Sequence, residues 1–282
     1  MQGDLHCHTK LSDGSQGIEE VISYAKRVNM DFLALTDHDT MASFSRSKIL
    51  GERYGIRVIP GVEFSTFDYQ RKRRVHILCY LPQKPDRLEG LCLQSCEKRK
   101  KVSTEMARKV MRIFPITSEN ITKYSSGSKS IYKPHIMHAL MDAGFTTRIY
   151  GNLYRELFDP QEGTCYADFE QPDVFEVLDL IHSAGGIAVL AHPGEYDSYE
   201  ILNECCEKGL IDGIEVWHPR NKEGDEALFL QLTSQYDLIP TGGSDYHGMY
   251  CSRPSPIGRC TTPQSSLDAL FALSEKKKAE FK

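Results

Sequence analysis

Residues 4–15 read DLHCHTKLSDGS: two histidines one residue apart, then a carboxylate in a glycine-containing turn. Side chains alternate along a strand, so His6 and His8 point to one side while Leu5 and Cys7 point to the other. A strand written this way buries an apolar face and carries paired imidazoles at its C-terminal end. Asp13 follows in SDG, where Gly14 permits a tight turn that folds the carboxylate back over the pair.

The same design recurs outward from this stretch. Apolar, β-branched runs are found in DFLALTDHD (31–39), IRVIPGVEF (56–64), RRVHILCY (73–80), GGIAVLAHP (185–193), GIEVWHP (213–219) and DLIPTGGSDYH (237–247). Helical patterns at 42–54, 173–184, 199–208 and 222–235 separate them. This βα alternation predicts a largely parallel sheet or barrel. His6, His8, Asp37, His38, Glu63, His192, His218, Asp245 and His247 all fall at or just beyond strand ends, which in a (β/α) barrel share one rim. His76 lies inside its run.

The alternation is interrupted between about 86 and 165. Helical patterns at 89–113 and 134–143 and a serine-rich turn, SSGSKS, fill the interval, which reads as a basic, substrate-covering helical insertion between barrel segments 1–85 and 166–282. The chain of 282 residues has a net charge of −5, but Gln70 to Lys133 holds 16 Lys and Arg against 5 Asp and Glu. Such a surplus suits a phosphate or polyanion.

No apolar run approaches the roughly 18 residues needed to cross a bilayer. The first residues lack the basic and apolar regions of a signal peptide. The nine cysteines form no paired CxxC motifs and read as small buried hydrophobes. The expectation is a cytoplasmic protein without a membrane or an obligate protein partner.

Six histidines and three carboxylates (His6, His8, Asp13, His38, Glu63, His192, Asp245, His247 and, from within its strand, His76) exceed what one ion can use. Imidazole and carboxylate donors without thiolate suit Mn, Fe or Zn, and their number implies two or three divalent ions with a bridging carboxylate. Such a rim generates hydroxide near neutral pH and clamps attacking and leaving oxygens, which is the chemistry of phosphoester hydrolysis.

In their order along the chain, DLHCHTKLSDG, LALTDHD, PGVEF, VHILCY, LAHP and GGSDYH resemble the motifs of the PHP (polymerase and histidinol phosphatase) family. Within it the chain most resembles nucleoside-3′,5′-bisphosphate phosphatases and 5′-to-3′ exoribonucleases. The resemblance implies a distorted (β/α)7 barrel with a trinuclear, manganese-preferring site. His6, His8, Glu63 and Asp245 would hold one ion, Asp13, His38 and His247 a second, and Glu63 would bridge to a third held by His76 and His192. It implies attack by a metal-bridging hydroxide on a phosphorylated small molecule, a nucleotide or the 5′ end of a short RNA. Asp245 and His218 are the candidate catalytic residues. Lys133 and His135 match a basic-x-His phosphate motif that usually carries Arg where Lys133 stands, and Lys98 and Lys101 sit where the branch carries paired arginines on the first helix of the insertion, as substrate-binding candidates. Arg253 and Arg259 are candidates for reaching a second phosphate.

Three alternatives carry distinct signatures. A histidinol-phosphate phosphatase uses a similar cluster but needs no extended basic surface. An amidohydrolase wants a bridging lysine where Glu63 stands. A non-catalytic metal-binding module is at odds with a full set of donors.

Overall fold

The computed structural model describes residues 1–280. Its elements follow in the order β1 (Gln2–Cys7), α1 (Ile18–Arg27), β2 (Phe32–Leu35), α2 (Phe44–Tyr54), β3 (Arg57–Asp68), β4 (Arg73–Tyr80), α3 (Asp86–Ile113), α4 (Ser118–Ser125), α5 (Lys133–Asp142), α6 (Asn152–Phe158), α7 (Val174–Ser183), β5 (Ile187–Leu190), α8 (Tyr199–Glu207), β6 (Gly213–Trp217), α9 (Asp225–Gln235), β7 (Ile239–Gly242), β8 (Thr262–Pro263) and α10 (Gln264–Glu280).

The strands form one sheet in the order β7-β6-β5-β4-β3-β2-β1-β8. Pairing is parallel from β1 to β3 and from β5 to β7, but β4 is antiparallel to both its neighbours. The sheet curls until its ends meet: the His8 N–H donates to Tyr246 O at 2.8 Å and the Tyr246 N–H to His6 O at 3.2 Å. The result is a nearly closed, distorted barrel, with β8 a short antiparallel addition beside β1.

The reversal of β4 explains His76. Running against its neighbours, β4 brings the start of the strand, not its end, to the rim where the parallel strands finish. Ser65 on β3 pairs in register with His76, two residues from Glu63.

Among the described residues apolar packing forms four clusters, two of which bear on the site. Strand side chains such as Val62, Ile77 and Leu190 pack beneath α7, α8 and α9. The helices between β4 and α7 have a cluster of their own, including Met106, Val110, Ile136, Leu140 and Phe158. Helix α3 belongs to both, because Leu88 and Leu91 lie in the barrel cluster and Met106 and Val110 in the second. Among the described residues no helix is long and apolar enough to cross a membrane.

Candidate metal centre

The rim gathers the nine residues in overlapping groups, with Glu63, a side chain only 1% exposed, near their middle. Its Oε2 lies 3.2 Å from His6 Nε2, 3.1 Å from His8 Nε2 and 3.2 Å from His38 Nδ1. Its Oε1 lies 2.7 Å from His76 Nδ1 and 2.9 Å from His192 Nε2. One carboxylate therefore faces two histidine groups with different oxygens, the geometry of a bridge.

His8 is equally central. With Asp13, His38 and His247 it forms one group of donors within 4.8 Å of one another, and with His6 and Asp245 it forms another. Asp13 Oδ1 lies 3.3 Å from His247 Nε2, and Asp13 Oδ2 3.8 Å from His38 Nε2. The turn that returns Asp13 requires Gly14, where an added Cβ would stand 2.5 Å from His8 O. Gly243 is as constrained, since its Cβ would fall 2.3 Å from that of His6.

Asp245 divides its oxygens. Oδ1 lies 3.6 Å from His6 Nε2 and 3.4 Å from His8 Nε2, while Oδ2 lies 3.6 Å from His218 Nε2. Both Asp245 (φ 48°) and His192 (φ 28°) have left-handed backbones, strain that persists where surrounding structure imposes it.

The electrostatics suit cations. Burial opposes charge on Glu63, Asp13 and Asp245, yet the imidazoles around them hold all three well below the usual carboxylate range. Burial likewise opposes charge on His192 and His247, but neighbouring carboxylates raise each to about 9. Burial dominates at His38, which is pushed down to about 3. Asp13 Oδ1, His192 Nδ1 and His218 Nε2 are buried without a hydrogen-bond partner. Buried polar atoms are rarely left so, and oxygen and imidazole donors in this density fit divalent ions.

Two further carboxylates support the donors: Asp37, already marked by its place at a strand end, and Glu215, which carries no signal of spacing. Glu215 accepts at Oε1 from His6 Nδ1 at 2.8 Å and at Oε2 from the His192 N–H at 2.8 Å. It thereby fixes the tautomer that turns His6 Nε2 toward the cluster. A charged residue inside the buried run GIEVW is the hint the sequence offered. Asp37 accepts from the Thr9 N–H at 2.7 Å and Ser12 Oγ at 2.8 Å, bracing the loop that carries Asp13.

Asp13, His38 and His76 open onto a cleft of ≈ 820 Å³ whose far walls come from α3, the start of α5 and residues 150–171. Arg74, Arg99 and Lys133 supply its positive charge, and Tyr132, Tyr150, Tyr154, Tyr166, Phe169 and Tyr196 much of its surface. On α3 it is Arg99, not Lys98 or Lys101, that lines the cleft. Arg99 continues the inward stripe of Cys92, Ser95, Ser103 and Met106, and each step along a helix turns a side chain by about 100°. Its Nη2 donates to Ser65 Oγ at 3.0 Å and pairs with Asp39, whereas Lys98 pairs at the margin with Glu170 and Lys101 is exposed.

Lys133 reaches the cleft over the Tyr166 ring, its pKa lowered to about 8 by burial and by Arg74. His135 does not line it. At the third position of α5 its Nδ1 accepts the Tyr132 N–H at 3.1 Å, and burial pushes its pKa down to about 4. Arg253 and Arg259 line a separate cavity beyond Asp245. Trp217 is spent on Glu226, His182 on Leu210 O and His138 on Tyr250.

The family model for the PHP domain matches residues 4–161. A phosphoribosyl 1,2-cyclic phosphate 1,2-diphosphodiesterase of Eggerthella lenta is 38% identical over 88% of this chain and 94% of its own. A 3′,5′-nucleoside bisphosphate phosphatase of Chromobacterium violaceum is 27% identical over 86% of each. A solved structure from Bifidobacterium adolescentis, described as a metal-dependent phosphoesterase, superposes with a TM-score of 0.86 at 26% identity over 96% of both chains. The chain belongs to the PHP-domain family and is a metal-dependent phosphoesterase.

Proposed function

We propose that the protein hydrolyses a phosphoester of a small ribose-based molecule, with nucleoside 3′,5′-bisphosphates and the 5′ ends of short RNA as the substrate class. The observation that carries this reading is the clustering of nine donors, five of them histidines on the Glu63 carboxylate, at the mouth of a cationic, tyrosine-walled cleft. Its aromatic walls and converging cations suit a small phosphorylated ligand. A second reading, a cyclic phosphodiester of a phosphoribose, is favoured by the relative at 38% identity.

His6, His8, Glu63 and Asp245 would hold one ion, Asp13, His38 and His247 a second, and His76 and His192 a third shared through Glu63, with His8 near enough to serve two. Manganese is the proposed metal. Bound ions supply a nucleophilic hydroxide at neutral pH and neutralise phosphoryl oxygens. Arg99, braced by Asp39 and Ser65, faces the substrate phosphate with a planar fork, and Lys133 adds a point charge. Asp245 would hold the ion and, with Oδ2 3.6 Å from His218 Nε2, orient His218, which would deliver a proton to the leaving oxygen. Residues 86–165 form the insertion that roofs the cleft, with the lining continuing to Gln171. All nine cysteines are free, which accords with a reducing cytoplasm.

The test is a manganese-supplemented hydrolysis screen followed by phosphorus NMR. It compares a nucleoside 3′,5′-bisphosphate, ribose 5-phosphate 1,2-cyclic phosphate, a 5′-phosphorylated oligoribonucleotide and histidinol phosphate. Turnover of ribose-based substrates is expected; turnover confined to histidinol phosphate would overturn the reading.

A further inference from the structure

A second cavity, whose lining shares no residue with that of the main cleft, is formed by Arg220, Asn221, Ser244, Asp245, Arg253 and Arg259 among others. Asp245 is its one carboxylate, against three guanidinium groups. Arg220 is partly neutralised, lying with Nη2 3.8 Å from Asp245 Oδ2 and Nη1 on Glu195. Arg253 and Arg259 have no carboxylate partner among the described residues, although acidic residues outnumber basic ones over the chain.

The loop carrying the two arginines is anchored. The Arg259 N–H donates to Ser244 Oγ at 2.9 Å, its Nη1 to Pro254 O at 2.5 Å, and the Gly258 N–H to the buried Asp4 carboxylate at 2.8 Å. Asp4 also accepts the Ser244 N–H at 2.9 Å, tying this loop to the segment that presents Asp245. Asn221 donates Nδ2 to Val216 O at 2.6 Å, which fixes its amide and leaves Oδ1 buried without a donor. Guanidinium groups favour phosphate in two-pronged contact.

We propose that this cavity is a second anion subsite of the same centre. Arg253 and Arg259 take a phosphate remote from the scissile one, and Asn221 Oδ1 accepts a hydroxyl of the sugar between them. Recognition of the second phosphate of such a substrate is thus assigned to this cavity. This rests on the phosphoesterase reading above.

The test pairs kinetics with a structure. In R253A/R259A, KM for a nucleoside 3′,5′-bisphosphate is expected to rise at least about tenfold more than KM for p-nitrophenyl phosphate. Lys48→Ala, at an exposed cation elsewhere on the barrel, is expected to alter neither. Crystals of the metal-loaded enzyme soaked in inorganic phosphate are expected to hold an anion on Arg253 and Arg259. Equal KM changes for the two substrates, or an empty cavity at phosphate concentrations that fill the metal centre, would overturn the subsite. A wild-type enzyme that turns over no phosphoester, yet binds phosphate at these arginines in the soak, sinks the hydrolytic reading and supports the subsite.

Discussion

Glu63 and His8 show how much a single side chain can be asked to hold. Glu63 divides its two oxygens between two histidine groups, and His8 belongs to two donor groups at once. His8→Ala is therefore expected to lower bound manganese by more than one ion per chain and to abolish turnover, whereas Asp13→Ala loses one ion. Elemental analysis reads both, and equal metal loss in the two variants contradicts the shared role of His8. Glu215 touches neither cleft nor substrate, but it sets the His6 tautomer. Glu215→Gln keeps the shape and removes the charge, so metal affinity or rate should fall by about 10–100-fold with the fold intact by circular dichroism. Lys133 offers a pH signature. Its pKa is depressed to about 8, so its charge is present below that pH and lost above it. KM should rise as pH passes 8, and Lys133→Arg should remove that rise. Identical KM profiles for the two proteins would exclude Lys133 from phosphate binding.

At the scale of elements, periodicity decided which residue of a basic run lines the cleft. KRKK (98–101) reads as uniformly cationic, but α3 is buried along Cys92, Ser95, Ser103 and Met106, and only Arg99 falls on that stripe. Arg99→Ala should raise KM by about 10–100-fold, the cost of one charged hydrogen-bonding group, while Lys98→Ala and Lys101→Ala stay within about twofold. A larger effect from Lys98→Ala would show that the helix presents a different face. Helix limits were legible because their apolar patterns are strong: the expected 173–184 and 199–208 became α7 (Val174–Ser183) and α8 (Tyr199–Glu207). The direction of β4 was not legible. A short alternating strand reads the same whichever way its neighbours run, so His76 could be named as a donor before its place on the rim could be explained.

Over the whole molecule, the centre stores charge that bound metal must replace. In the metal-free protein His192 and His247 titrate near 9, raised from the ordinary histidine value by carboxylates. Because their folded pKa values are raised, their stabilisation of the metal-free fold is full below about pH 6.5 and is lost as pH rises through 9. Metal binding must displace these protons, so manganese affinity is expected to increase between pH 6 and 9 with proton release. Titration calorimetry in buffers of different ionisation heat measures that release, and a pH-independent affinity would argue against these histidines as ligands. At a hundredfold excess over Kd, each site adds about 2.7 kcal/mol, so chelation should lower Tm by several degrees.

The sequence by itself determined the donor inventory and its order, because imidazoles and carboxylates at strand ends are written locally and a barrel brings such ends together. It also determined the family, through motifs spread from residue 4 to residue 247, and the basic character of the region after β4. Only the tertiary structure decided which donors share a neighbour, which cation of a run meets the cleft and which buried carboxylates orient the ligands. Those are distances between segments far apart in the chain, such as the 209 residues separating His6 from Glu215. Packing sets them, and local pattern does not encode it.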